Sequence, residues 1–153
     1  HLILLACFNQ DAVDIDSLIN DFLEKYNHDL PTRWFNIEVK KVLGYNIYDH
    51  KFSKKDGYLI SNLENGSRLL VLKCELENSK KEKIIEKFLS IENFKILNHN
   101  IGTEKYYNSI YTAFKKKIYL PEEYIDKLLD SKFTKNFYSK SEITLFKSKW
   151  QIR

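Results

Sequence analysis

Four side chains able to do acid–base or anion chemistry fall close together in this sequence: His28, Asp29, Arg33 and Glu38. A histidine beside a carboxylate can act as a general base toward a hydroxyl. A guanidinium can hold an anionic group in a fork. Glu38 stands one helical turn beyond Trp34, at the border of an apolar face. Partial burial there would raise its pKa and suit it to acid–base work. His28 and Glu38 are therefore the candidate catalytic residues, with Asp29, Arg33 and Trp34 as candidate substrate contacts. The same residues have a plainer use: His28 and Asp29 can end and cap helices, and Arg33 and Glu38 can form a surface pair. His99, between Asn98 and Asn100, follows an expected strand. In open parallel sheets the ligand crevice lies beyond the carboxyl ends of strands, which makes His99 a further candidate for substrate binding.

The sequence lacks other signatures of chemistry. It has no Walker loop, GxGxxG, HExxH, CxxC or GxSxG, and four glycines are little material for a phosphate-cradling loop. Cys7 and Cys74 have no metal-like spacing, and they read as small buried thiols in a reducing compartment.

The element that must position these residues is the stretch Arg68–Ile91. Leu69–Leu72 is a continuous apolar run, which suits a strand buried on both faces of a parallel sheet. An acidic break at Glu75 and Glu77 follows. Asn78 and Ser79 then open a helix whose inner face is Ile84, Ile85, Phe88 and Leu89, with Ser79 and Glu82 at capping-box spacing. Upstream, the spacing predicts a helix over 16–27 capped by Asp14 or Asp16. A second helix opens with Pro31 in its first turn and closes at Gly44. Tyr45–Phe52 reads as extended or looped. Tyr58–Leu63 and the turn signal Asn65-Gly66 make a hairpin that feeds the central strand. Downstream, Phe94–Leu97 reads as another short strand. Helices follow, capped by Thr103, started by Pro121, and opened by a second capping-box pair, Ser139 and Glu142.

The fold class expected is therefore α/β and helix-rich, with a small sheet and a helical C-terminal half, in a single domain over 1–153. The chain of 153 residues contains no Met and reads as a fragment, a processed chain or a trimmed one. Residues 103–153 carry 11 Lys/Arg against 6 Asp/Glu, a balance of +5 within a net charge of +4. That basic third could face an anionic ligand. The overall charge is weak for a phosphate-backbone binder, and Phe133, Phe137, Phe146 and Trp150 are spaced to enter a core, so no nucleic acid is expected. Leu2–Phe8 is too short to span a bilayer, and neither membrane insertion nor export is expected. The chain reads as cytoplasmic.

Several segments together resemble a bacterial family of capsular polysaccharide synthesis proteins with a sulfotransferase-like fold. They are YNHDLPTRWFNIEVKKVLGYNIYDHKF (Tyr26 to Phe52), RLLVLKCEL (Arg68 to Leu76), EKFLSI (Glu86 to Ile91) and LPEEYIDKLLDSKFTKNFYSKSEITLFKSKW (Leu120 to Trp150). The strand, acidic turn and helix also look like the LLVLRYEDL…FLG unit of sulfotransferases, with Cys74, Leu76 and Ser90 in place of the aromatic, the Asp and the Gly. The resemblance implies a partial three-layer fold related to P-loop kinases. It implies a donor, 3′-phosphoadenosine 5′-phosphosulfate (PAPS), and sulfuryl transfer to a carbohydrate or polysaccharide acceptor. It places the phosphate loop before His1, so the chain is expected to be inactive alone. Asn36 stands where the family's WFD-like triplet has a carboxylate, and an amide cannot take up a proton. The alternative is a non-catalytic binding or scaffold module in polysaccharide assembly. A homodimer that replaces the missing part of the sheet is a further expectation.

Overall fold

The computed structural model describes residues 14–97, 101 and 104–151. His99, Thr103, Cys7 and the Leu2–Phe8 run lie outside the described residues.

Helix α1 (Ile15–Lys25) starts where Asp14 accepts hydrogen bonds from the Asp16 and Ser17 amides. The Ser17 hydroxyl also donates to that carboxylate, which lies below its usual pKa chiefly through this bond. α2 (Leu30–Trp34) carries Pro31 in its first turn. It runs on through a π-helical turn (Phe35–Lys40), where the Lys41 amide reaches back five residues to the Asn36 carbonyl, and then into α3 (Lys41–Leu43). Gly44, at φ +68°, ends the helix as expected from sequence.

Tyr45–Phe52 is looped, as expected, around a 3₁₀ turn (Ile47–Asp49), and it supplies the heart of the core. Ile47 is 1% exposed, and it packs with Val39, Tyr45, Phe52, Leu63 and Phe137. The hairpin follows as β1 (Tyr58–Asn62) and β2 (Arg68–Leu72), paired antiparallel with Tyr58 opposite Leu72 and Asn62 opposite Arg68. Its loop closes between Leu63 and Ser67, with Gly66 left-handed at φ +80°. A side chain there would meet its own backbone, so glycine fits.

The apolar run of β2 is not buried on both faces in a parallel sheet. Its one described neighbour is the antiparallel β1, and Leu69–Leu72 are only half-buried. The run of four apolar residues arises because one face meets the core through Leu69 and Val71 while the other is partly covered. Cys74 is exposed rather than buried, since it lies in the turn after the strand.

The strand–turn–helix unit forms as read, with α4 spanning Asn78–Leu89. The Ser79–Glu82 capping box does not form. Glu82 instead accepts from the Ile96 amide at 3.0 Å and from Lys95 at 3.1 Å, and Glu86 accepts from the Phe94 amide at 2.9 Å. Phe94–Leu97, expected as a short strand, pairs with no described strand, although it alternates, with Phe94 and Ile96 partly buried and Lys95 and Leu97 exposed. Carboxylates of α4 hold it instead of a neighbouring strand. Ser90 ends α4 at φ +57°, a left-handed position that favours Gly.

The remaining helices are α5 (Asn108–Lys117), α6 (Glu122–Leu129), α7 (Lys132–Phe137) and α8 (Lys140–Gln151). α5 packs on α1, α6 on α7 and α8, and α7 on α2. The Ser139–Glu142 capping box forms in full: the Ser139 amide donates to Glu142 at 2.7 Å, and the Glu142 amide donates to the Ser139 hydroxyl at 3.3 Å. The described chain is thus helix-rich α/β with a small two-stranded sheet, as the sequence indicates.

Candidate functional site

His28 follows α1 and turns into an aromatic nest. Phe22, Tyr26 and Tyr124 meet its ring edge-on at centroid distances of 4.9, 5.0 and 4.9 Å. Its Nε2 lies 2.8 Å from the Phe22 carbonyl, which can only accept, so Nε2 carries the proton. In the neutral ring, Nδ1 then accepts from the Tyr124 hydroxyl at 2.7 Å. Burial pushes the Tyr124 phenol above its ordinary value, with the nearby Tyr26 and Asp29 adding to it. Both nitrogens of His28 are engaged within the protein. Asp29 begins α2 and pairs with Lys127 of α6 at 3.1 Å, both side chains being exposed. Together the two residues tie α1 and α2 to α6.

The neighbouring candidates diverge from that nest. Arg33 and Glu38 are exposed and do not pair with each other. The partial burial expected for Glu38 is absent, because the π-helical turn puts Val39 rather than Glu38 on the core. Trp34 is 47% exposed and leans edge-on against Phe35, with centroids 5.1 Å apart.

Trp34 stands on a cleft of about 440 Å³. Leu30 and Trp34 form one wall, Phe133 and Tyr138 another, and the end of β2 with Lys73 and Cys74 enters from the side. The lining is mostly apolar with few polar groups, the usual make-up of a small-molecule pocket.

Behind this cleft lies a polar cluster that the sequence reading did not single out. The ammonium group of Lys73, a residue only 7% exposed, donates to Glu142 at 2.6 Å and to the Lys54 carbonyl at 3.2 Å. It also lies 4.8 Å from the centre of the Tyr138 ring. Burial alone would push the Glu142 carboxyl up, but hydrogen bonds from Lys73 and Ser139 outweigh it and hold the group down to about 2. The Tyr138 hydroxyl donates to Glu75 at 2.9 Å. Burial, with Glu75 beside it, raises that phenol well above its ordinary value, so it stays a donor at neutral pH. The capping-box spacing located Glu142, but nothing in the sequence linked it to Lys73, 69 residues away.

PAPS needs a loop of free backbone amides for its phosphosulfate. Three glycines are described. Gly44 ends a helix, Gly66 turns the hairpin, and Gly57 lies under Leu76, whose Cδ2 would be 2.7 Å from an added Cβ. Each described glycine thus serves a cap, a turn or a close side-chain contact. Among the described residues no group of three or more His, Cys, Asp or Glu could hold a metal ion, and no helix is long and apolar enough to cross a membrane.

No match was found among curated proteins or among solved structures. Residues 10–139 match a family described as "Putative capsular polysaccharide synthesis protein". That span takes in the aromatic nest, the Trp34 cleft, the hairpin and Tyr138, and the chain belongs to this family of capsular polysaccharide synthesis proteins.

Proposed function

We propose that the chain binds the carbohydrate acceptor in a sulfotransferase-like reaction of capsular polysaccharide synthesis, with Trp34 as the main contact. The observation that carries this reading is the exposed indole at the edge of the apolar cleft beside the end of β2. One face of a pyranose ring presents C–H groups, which pack well on an aromatic face, while its hydroxyls remain free to bond a polar rim. The sulfuryl donor, PAPS, enters from the family resemblance, and no step is assigned to it. Of the two candidate catalytic residues, Glu38 is the exposed one, on the same continuous helix as Trp34. It is the carboxylate available to take the proton of an acceptor hydroxyl, and Arg33 is available to an anionic group. For His28 to act as a base, Tyr124 would first have to release Nδ1.

A second reading, a non-catalytic binding module, is favoured by the engaged nitrogens of His28. Calorimetric titration separates the two. Saturable binding of adenosine 3′,5′-bisphosphate, the spent donor, supports the enzyme. Binding of capsular oligosaccharides without the nucleotide supports the module. In either case Trp34→Ala is expected to weaken oligosaccharide binding by roughly tenfold or more, the scale of one lost aromatic contact. Unchanged affinity in that variant would remove Trp34, and this cleft, from the site.

A further inference from the structure

A second cleft, of about 750 Å³, opens between α6 and α8. Leu129 and Ile143 form part of its lining, and four lysines stand around it: Lys54, Lys135, Lys140 and Lys147. Two of these are neutralised locally. Lys147 pairs with Asp126 at 2.6 Å and Glu122 at 3.2 Å, and Lys135 pairs with Asp130 at 2.6 Å. Lys54 and Lys140 are exposed, and neither has a carboxylate partner among the described residues. The Lys54 ammonium gives one hydrogen bond to the Lys135 carbonyl at 2.5 Å, which leaves its charge uncompensated. Tyr138 lines this cleft as well as the Trp34 cleft, so the two share that residue.

We infer that the ligand is an acidic polysaccharide segment lying across both clefts, its apolar sugar faces against Trp34 and its carboxylates at Lys54 and Lys140. This rests on the carbohydrate reading above and adds to it the class of sugar. Charge complementarity carries the step: two uncompensated cations stand beside a cleft that shares Tyr138 with an aromatic one. The geometry favours carboxylates over phosphates. The lysines are separate point charges, and no arginine fork lines the cleft. At the amino end of α8 the Ser139 amide and hydroxyl already bond the carboxylate of Glu142, whose negative charge disfavours a phosphate there.

The test uses a glucuronate-containing hyaluronan oligosaccharide and the same oligosaccharide after carboxyl reduction, titrated into the full 153-residue chain at low salt. Two exposed ion pairs correspond to a preference of roughly tenfold for the acidic form, which should shrink as salt is added. The double variant Lys54→Gln/Lys140→Gln should abolish the preference and keep the affinity for the neutral form. Trp34→Ala should weaken both forms. Equal affinity for the two forms with Trp34 sensitivity intact would overturn this inference and leave the carbohydrate reading standing. A preference that survives the double lysine variant would also overturn it, by locating the charge elsewhere. Failure of both oligosaccharides to bind would overturn both readings. Both lysines are exposed, and far-ultraviolet circular dichroism confirms that the variants fold.

Discussion

The His28 nest and the Tyr138 clefts are opposites. In the nest, a residue with obvious chemical potential is surrounded, with both nitrogens bonded and three rings against it. At the clefts, Trp34 and a set of lysines unremarkable in the sequence leave open surface beside a half-buried ion pair. Reactive residue types alone therefore mark this site poorly. The balance between internal partners and open surface marks it better, because a side chain whose hydrogen bonds are all satisfied has little to offer a ligand.

The comparison can be broken at the ion pair first. Glu142→Gln would leave the Lys73 ammonium buried without its counter-charge, and it should cost about 2–3 kcal/mol in urea unfolding. The figure is set below that of a fully buried pair because 36% of the Glu142 side chain reaches water. Joint replacement of Lys73 by Met and Glu142 by Gln should recover most of the loss, since no isolated charge remains. His28→Ala comes next. It leaves the Tyr124 hydroxyl and the Phe22 carbonyl without their partner and opens a gap among three rings, for about 2 kcal/mol. Oligosaccharide affinity should not move. A large loss of binding with stability preserved would reverse the assignment of the two regions.

The pH dependence sharpens the contrast. Against the effect of burial, hydrogen bonds from Lys73 and Ser139 hold the folded Glu142 carboxyl down to about 2, below the ordinary glutamate value of 4.5. Its contribution is therefore fully present above about pH 4.5 and is lost as the pH falls toward 2. Urea midpoints measured at pH 6 and pH 3 should show a drop that shrinks in Glu142→Gln. The smallest effect is expected from Ser90→Gly. It relieves a left-handed residue at the end of α4, far from both regions, and should raise stability by about 0.5–1 kcal/mol in the same assay.

What was legible in the sequence was local. The hairpin, the Gly44 cap, the strand–turn–helix unit and the Ser139–Glu142 box each depend on residues within a few positions of one another. The place of Tyr45–Phe52 in the core was not legible, because a single 3₁₀ turn has no periodicity to detect. The π-helical turn shifted Glu38 off the expected face for the same reason: one residue more per turn leaves no trace in composition. The lysine–glutamate pair and the Glu75–Tyr138 bond join segments more than sixty residues apart, which only tertiary packing brings together.

The carboxylates of Glu82 and Glu86 have a consequence for aggregation. They are one helical turn apart, and they accept the amides of Phe94 and Ile96, which are two residues apart along an extended stretch. One helix face thus stands in for the rungs of a neighbouring strand. It covers an edge that, left bare, would recruit the same FKIL stretch from another molecule. Replacing both glutamates by Ala should convert a well-behaved solution into one that scatters light as the concentration rises. A clear solution would mean that the stretch guards its own edge.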